Sequence, residues 1–438
     1  MLLRLKIKNF LSFNGETVFD MFPNIEHKSF QLHIHDNMEI PVLKQTAIYG
    51  ANGSGKSNFI KAVIFLREFV TRKNFLKSIT WNDYIFQLTK EKSQTISFEI
   101  EFFHREEYYI YNVEISKKEV FEKLSKSGVG KTDDELIFER KGTSIVAPSI
   151  QNEPLVKKLL SMNSRSSLIP LNLQFPVLAS EKVKHVYDWF SKKIEVILAN
   201  STIPMLIKLL SQKPQILSFA NNFFRNIGIG IDEIKIHDIP FEKLITESTN
   251  ATELNQIINS NPLSENSDIA QLQNNRNVLN VTIHEGKKTV QELLFDQVGQ
   301  CGYHKAMKIS AQSDGTVRLL TLIPALWSVI QEGKVIFIDE IESSLHPRLM
   351  FELLRFYANN NARGQLIFTT HVTHLLNRHE LVRPDEIWFT EKFEGNTKLY
   401  SLNDFKLHNT SNIENGYLEG RYGATPVIDE ISIDCIKE

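Results

Sequence analysis

Cysteine is almost absent from this chain: 438 residues hold two, Cys301 and Cys435. Two thiols exclude a disulfide framework and cannot by themselves build a four-ligand zinc site, which points to a reducing compartment. A surplus of one charge is also missing. There are 50 Lys and Arg against 52 Asp and Glu, for a formal net charge of -2. The chain as a whole therefore lacks the polycationic signature of a nucleic-acid binder. Long apolar runs are lacking too. The N-terminal MLLRLKIKNF is interrupted by Arg4, Lys6 and Lys8, which leaves no signal-peptide core. The longest apolar-rich piece, Leu319 to Ile330, contains Pro324 and falls short of the roughly 18 residues a membrane span requires. No membrane association is expected, and a cytoplasmic location is.

What is present is ordinary globular composition, 42% apolar and 23% charged. The length allows roughly two or three domains. Leu3, Leu5 and Ile7 alternate with Arg4, Lys6 and Lys8, the period of a strand with one buried face. A second strand is expected around Glu16 to Phe19. Thr46-Ala47-Ile48-Tyr49 is a short apolar strand running into glycine, and helical spacing follows from Asn58 to Val70. Residues 94 to 116 alternate in two runs joined by His104-Arg105-Glu106-Glu107, which predicts a hairpin in an antiparallel layer beside the main sheet. From about 151 to 227 the pattern turns helical, with Val183, Val186, Trp189, Phe190, Ile194 and Ile197 marking one amphipathic helix. Residues 151 to 230 carry ten Lys or Arg and four acidic groups, readable as a solvated helical face or as an arm facing nucleic acid. Residues 246 to 277, rich in Asn, Ser, Thr and Gln, are expected to form a loop or weak helix. The fold class is α/β with a mixed central sheet. The expected division is an N-terminal lobe at 1–150, a helical insertion at 151–230 and a C-terminal lobe with its tail at 231–438.

Chemistry concentrates in a few places. Gly50-Ala51-Asn52-Gly53-Ser54-Gly55-Lys56-Ser57 fits G-x-x-x-x-G-K-[ST] without a mismatch, with a strand before it and a helix after. Its glycines let backbone N–H groups turn toward phosphate oxygens, and the helix adds its positive N-terminal end. Asn52, Gly53, Ser54, Gly55, Lys56 and Ser57 are the expected phosphate cradle. Lys56 supplies a point charge, and Ser57 offers a hydroxyl to Mg²⁺. Val335-Ile336-Phe337-Ile338 reads as a buried strand ending in Asp339-Glu340. Asp339 is assigned to the metal, and Glu340 to the base that takes a proton from attacking water. The next such strand ends Phe368-Thr369-Thr370-His371, where His371 can meet a γ-phosphate. Ser313-Asp314-Gly315-Thr316 precedes a helix and reads as a cap or, through Ser313 and Gly315, as a phosphate contact. Gln87 is a candidate γ-phosphate sensor and metal ligand, or an exposed loop glutamine. His346, His371, His374 and His379 lack accompanying cysteine and are not read as a zinc site.

The order of these motifs resembles the ABC-type AAA ATPase heads of SMC and RecF proteins. GANGSGKS resembles their Walker A loop, SDGT a degenerate signature, VIFIDE their Walker B strand, Ser343-Ser344-Leu345-His346 their D-loop, and FTTH their switch-histidine strand. LKIKNFLSF, SDGTVRLL, IDEIESSLHP and the tail YLEGRYGATP together resemble the bacterial phage-defence ATPases grouped with RloA-type, AbiL-type and OLD-type proteins. OLD proteins continue into a Toprim nuclease, for which a chain ending at 438 has no room, so a stand-alone ATPase subunit is expected, as in two-gene systems such as PARIS. The resemblance implies two copies paired head to tail around ATP and Mg²⁺, with Ser313 and Gly315 of one copy meeting ATP on the other. It also implies a separately encoded effector, expected to be a nuclease, and a DNA or phage-protein trigger. The alternative is a RecF/SMC-like ATPase that clamps DNA.

Overall fold

The computed structural model describes residues 1–28, 30–90, 95–150, 152–199, 206–240, 269–274, 277–284, 287–378, 380–406 and 412–426. It is α/β, with three larger sheets, and its chain divides into two compact units. One comprises Met1–Ala199, Val329–Glu342 and Phe351–Glu438; the other comprises Asn200–Ser328 and Ser343–Met350.

The first unit holds two of these larger sheets, which share a core with one central helix. Its mixed sheet lies in the order Ile194–Ile197, Val335–Ile338, Gln365–Thr369, Gln45–Gly50, Ile387–Phe393, Asn396–Ser401. The first five strands are parallel and the last returns antiparallel. Val335–Ile338 and Gln365–Thr369 are buried at every position, as strands covered on both faces must be. The second sheet is antiparallel throughout and joins Leu2–Lys8 and Thr17–Asp20 to the expected hairpin, Thr95–His104 with Glu107–Ser116. The helix Lys56–Thr71 carries Phe59, Ile60, Val63, Phe65, Leu66 and Phe69 into the core these sheets share. Phe19 sits 4.9 Å from Phe59 and 5.0 Å from Trp388, so one aromatic cluster spans helix and both sheets. Gln365 stitches the sheets: its side chain accepts from the Leu2 amide and donates to the Leu2 and Leu43 carbonyls.

The second unit contains a sheet ordered Ile231–Pro240, Lys287–Val298, Asn277–His284, Ile269–Asn274, all antiparallel. Helices Leu206–Gln212 and Pro214–Asn226 belong to it.

Two expectations are corrected. The amphipathic helix stops early: Glu181–Asp188 is followed by a wide turn at Trp189–Lys193 and then by the strand Ile194–Ile197. Ile194, Val196 and Ile197 are β-branched and pair in parallel with Val335–Ile338, where Ile194 and Ile197 are buried. Ile269–Asn274, within the stretch read as loop or weak helix, is a strand. The rest of that stretch up to 268 lies outside the described residues.

Candidate nucleotide site

The site lies at the C-terminal ends of the parallel strands of the first unit. Strand order alone places the phosphate-loop strand beside the histidine strand, and the histidine strand beside the carboxylate strand. Gly50, Gly53 and Gly55 adopt positive φ of 157°, 76° and 116° as the loop turns into the helix. The loop is held from behind. Ser54 Oγ lies 2.6 Å from Thr390 Oγ1, and Thr397 Oγ1 donates to the Ser54 carbonyl at 2.8 Å. A Cβ on Gly55 would stand 2.6 Å from Thr397 Cγ2, so this position admits glycine alone on two counts.

Lys56 is buried, and its ammonium donates to the Gly50 and Ala51 carbonyls at 2.7 and 3.1 Å. Burial lowers its pKa to about 8, against the pull of Asp339, Glu340 and Glu342, which raise it. Burial also lowers the pKa of His371; Lys56 adds to that shift, while Glu342, Glu340 and Asp339 oppose it.

Thr369 ties the Asp339 carboxylate to the Glu340 backbone. Its hydroxyl donates to Asp339 Oδ1 at 2.7 Å and accepts from the Glu340 amide at 2.7 Å. Glu340 has φ 48°, a left-handed backbone that a glutamate adopts only when its surroundings hold it. The His371 amide donates to Glu342 Oε1 at 2.6 Å, while Glu342 Oε2 is buried and without a hydrogen bond among the described residues. Ser57, Asp339 and this orphaned oxygen are each hard oxygen donors, the chemistry that suits Mg²⁺.

Asn52, Gly53, Ser54, Gly55, Lys56, Ser57, Asp339, Glu340 and His371 thus all belong to the first unit. Ser313 and Gly315 belong to the second. Ser313 caps the helix Asp314–Glu332, its Oγ accepting from the Thr316 amide at 3.2 Å. Gly315 packs so closely on its own unit that a Cβ would stand 2.8 Å from the Ser344 carbonyl. Gln87 turns its amide inward on its own loop, donating to the Asn82 and Ile85 carbonyls.

Thr369, Glu342, Thr390 and Thr397 escaped the sequence reading. Thr369 stands inside the FTTH stretch, but nothing local marks its hydroxyl as a bridge to a strand 30 residues away. Several lysines of the basic stretch are engaged in ordinary surface pairs: Lys157 with Glu153, Lys182 with Glu135 and Lys192 with Asp188. Among the described residues, one trio has cation-binding spacing: Asp232, Asp296 and His304 in the second unit. Arg225 and Lys235 already pair with its carboxylates. His374 pairs with Glu414. His379 lies outside the described residues. No described helix is long and apolar enough to cross a membrane.

No curated protein matches the chain. Among solved structures it shows likeness to an "SmcHead bound to the C-winged helix domain of ScpA", with 14% identity, coverage of 92% of this chain and 99% of that one, and TM-score 0.42. The SMC head domain from Thermotoga maritima shows 13% identity, 93% and 99% coverage, and TM-score 0.40. An Smc head with an extended coiled coil, bound to the C-terminal domain of ScpA derived from Pyrococcus furiosus, shows 13% identity, 92% and 97% coverage, and TM-score 0.40. The family model described as "AAA domain, putative AbiEii toxin, Type IV TA system" matches residues 46–377, a span that contains the phosphate loop, Asp339-Glu340 and His371. The chain belongs to this AAA family, AAA_21.

Proposed function

We propose that this chain is an ABC-type ATPase subunit that binds and hydrolyses ATP with Mg²⁺ and, in doing so, controls a separately encoded effector nuclease in bacterial anti-phage defence. The carrying observation is the gathering of Lys56, Asp339, Glu340 and His371 at one end of one sheet, with Thr369 bridging the two acidic residues.

In this reading the phosphate loop wraps the triphosphate with its backbone amides. Lys56 leaves the Gly50 and Ala51 carbonyls for the phosphates, which return to its ammonium the counter-charge that burial withholds. Ser57 and Asp339 would hold Mg²⁺, which supplies charge neutralisation for the phosphate oxygens. Glu340, oriented through its amide on Thr369, takes the proton of the attacking water. His371 hydrogen-bonds the γ-phosphate. Ser313 and Gly315 of a second copy face the nucleotide across a head-to-tail pair. Gln87 joins the metal shell only after releasing its two loop hydrogen bonds. The defence assignment is supported by the toxin in the family's description and by the YLEGRYGATP tail.

Glu340→Gln keeps the shape and removes the base. It is expected to lower kcat for ATP hydrolysis by about 10²- to 10⁴-fold while ATP still binds. Equal hydrolysis in that variant removes Glu340 from the mechanism. The same variant, recovered from its host with ATP and Mg²⁺, is expected to bring down a stoichiometric nuclease chain. Nucleic acid with repair proteins in its place favours a DNA clamp.

A further inference from the structure

The YLEGRYGATP tail has no group in the nucleotide site, yet it is built onto the segment that leaves it. The helix Ile413–Leu418 carries Glu414, 9% exposed. One carboxylate oxygen accepts from Thr373 Oγ1 at 3.0 Å and lies 2.7 Å from His374 Nδ1. The other accepts from Asn377 Nδ2 at 2.8 Å, and the Glu414 amide donates back to Asn377 Oδ1 at 3.3 Å. A single carboxylate therefore grips both ends of the short turn Thr373–Asn377, which begins two residues after His371. Such a turn has poor internal hydrogen bonding and needs outside support.

Tyr417, one turn along the same helix, secures the grip. Its ring stacks 5.4 Å from Phe389 and meets Tyr49 edge-on at 5.9 Å. Tyr49 in turn donates to the Val372 carbonyl, the residue next to His371. Tyr422 stacks on the same Phe389 at 5.8 Å, and its carbonyl accepts from Tyr400. Gly416 is required beneath it, since a Cβ there would stand 2.9 Å from the Tyr422 ring. His371 is thus held on both sides: Glu342 takes its amide, and Glu414 fixes the turn that follows.

We infer that Glu414 is a positioning residue for His371, and that the tail from Ile413 to Pro426 is the clamp that keeps the histidine aimed at the nucleotide. The inference rests on the ATPase reading for its catalytic consequence and on geometry alone for the clamp. Glu414→Ala is expected to lower kcat about 10- to 100-fold with KM for ATP unchanged, the cost of a misplaced rather than missing group. Glu414→Gln, which keeps an acceptor, restores most of the rate. In a His371→Ala background, Glu414→Ala adds nothing further.

Hydrogen exchange supplies the second readout. Amides of residues 372–378 are expected to exchange about tenfold faster in Glu414→Ala, with the helix Lys56–Thr71 unchanged. Should Glu414→Ala unfold the chain, Asn377→Ala, which removes one arm of the grip, carries the same two measurements. An unchanged kcat, or an equal loss with His371 already removed, overturns the positioning role. Unchanged exchange overturns the clamp. A wild-type chain that binds but does not turn over ATP defeats the ATPase reading instead, and the exchange measurement then decides the clamp by itself.

Discussion

Removing the Thr369 hydroxyl while keeping the shape of its side chain is the sharpest test of how the acidic pair is held. Thr369 is wholly buried, and Thr369→Val leaves no cavity. What goes is a donor to the Asp339 carboxylate and the acceptor of the Glu340 amide, both at 2.7 Å. A hydrogen bond to a charged group contributes about 1.5–3 kcal/mol, and the one from the half-buried Glu340 amide about 0.5–1.5 kcal/mol. The two losses share one site and do not fully add, so about 2–4 kcal/mol is expected. At roughly 2 °C per kcal/mol for a body of this size, Tm should fall by about 4–8 °C. Thr369→Ser is the control: it retains the hydroxyl and loses one methyl, worth about 1 kcal/mol. Scanning calorimetry of the three proteins, with ATP turnover measured in parallel, makes the comparison. Glu340 sits at φ 48° with that amide bond as support, so kcat should fall in the valine variant and hold in the serine variant. A serine variant as damaged as the valine one would show that packing, not the bridge, is what Thr369 contributes.

Lys56 gives a pH dependence of definite sign. Its pKa is about 8 in the folded chain against the ordinary lysine value of 10.5, so between those values the unfolded chain binds more protons. Stability from this group therefore rises with pH across that window, and its penalty is complete below about pH 8. ATP binding runs the other way, since phosphates favour the ammonium. Affinity should weaken about tenfold per unit above pH 8, with proton uptake visible by titration calorimetry in buffers of different ionisation enthalpy. An affinity flat from about pH 7 to 9.5 would mean that Lys56 is already an ordinary ammonium. The glycines of the loop should separate by site. Gly55→Ala meets Thr397 as well as its own φ of 116°, and should abolish nucleotide binding. Gly53→Ala has open space around its Cβ and pays only for φ 76°, about 1 kcal/mol, so filter binding of ATP should persist.

The local pieces of the site could be read from sequence because each is a short run with its own physics. The loop strand, its glycines and the helix after them announce themselves within residues 45 to 71. So do the short apolar runs Val335–Ile338, just before Asp339, and Leu366-Ile367-Phe368, just before Thr369-Thr370-His371, because strands buried on both faces read as near-continuous apolar runs. Side chains that act across the fold left no such mark. Thr369, Thr390, Thr397, Glu342 and Glu414 are ordinary polar residues whose partners lie 29 to 385 positions away, and only the tertiary fold brings them into range. The helix expected through Ile197 failed for the same reason. Its apolar period is compatible with either element, and the open edge beside Val335–Ile338 chose the strand. Residue type and spacing thus determined which groups this chain could bring to a nucleotide. Which hydroxyls and carboxylates hold those groups in place was decided only when the sheet closed, because a hydrogen bond depends on distance in space and not along the chain.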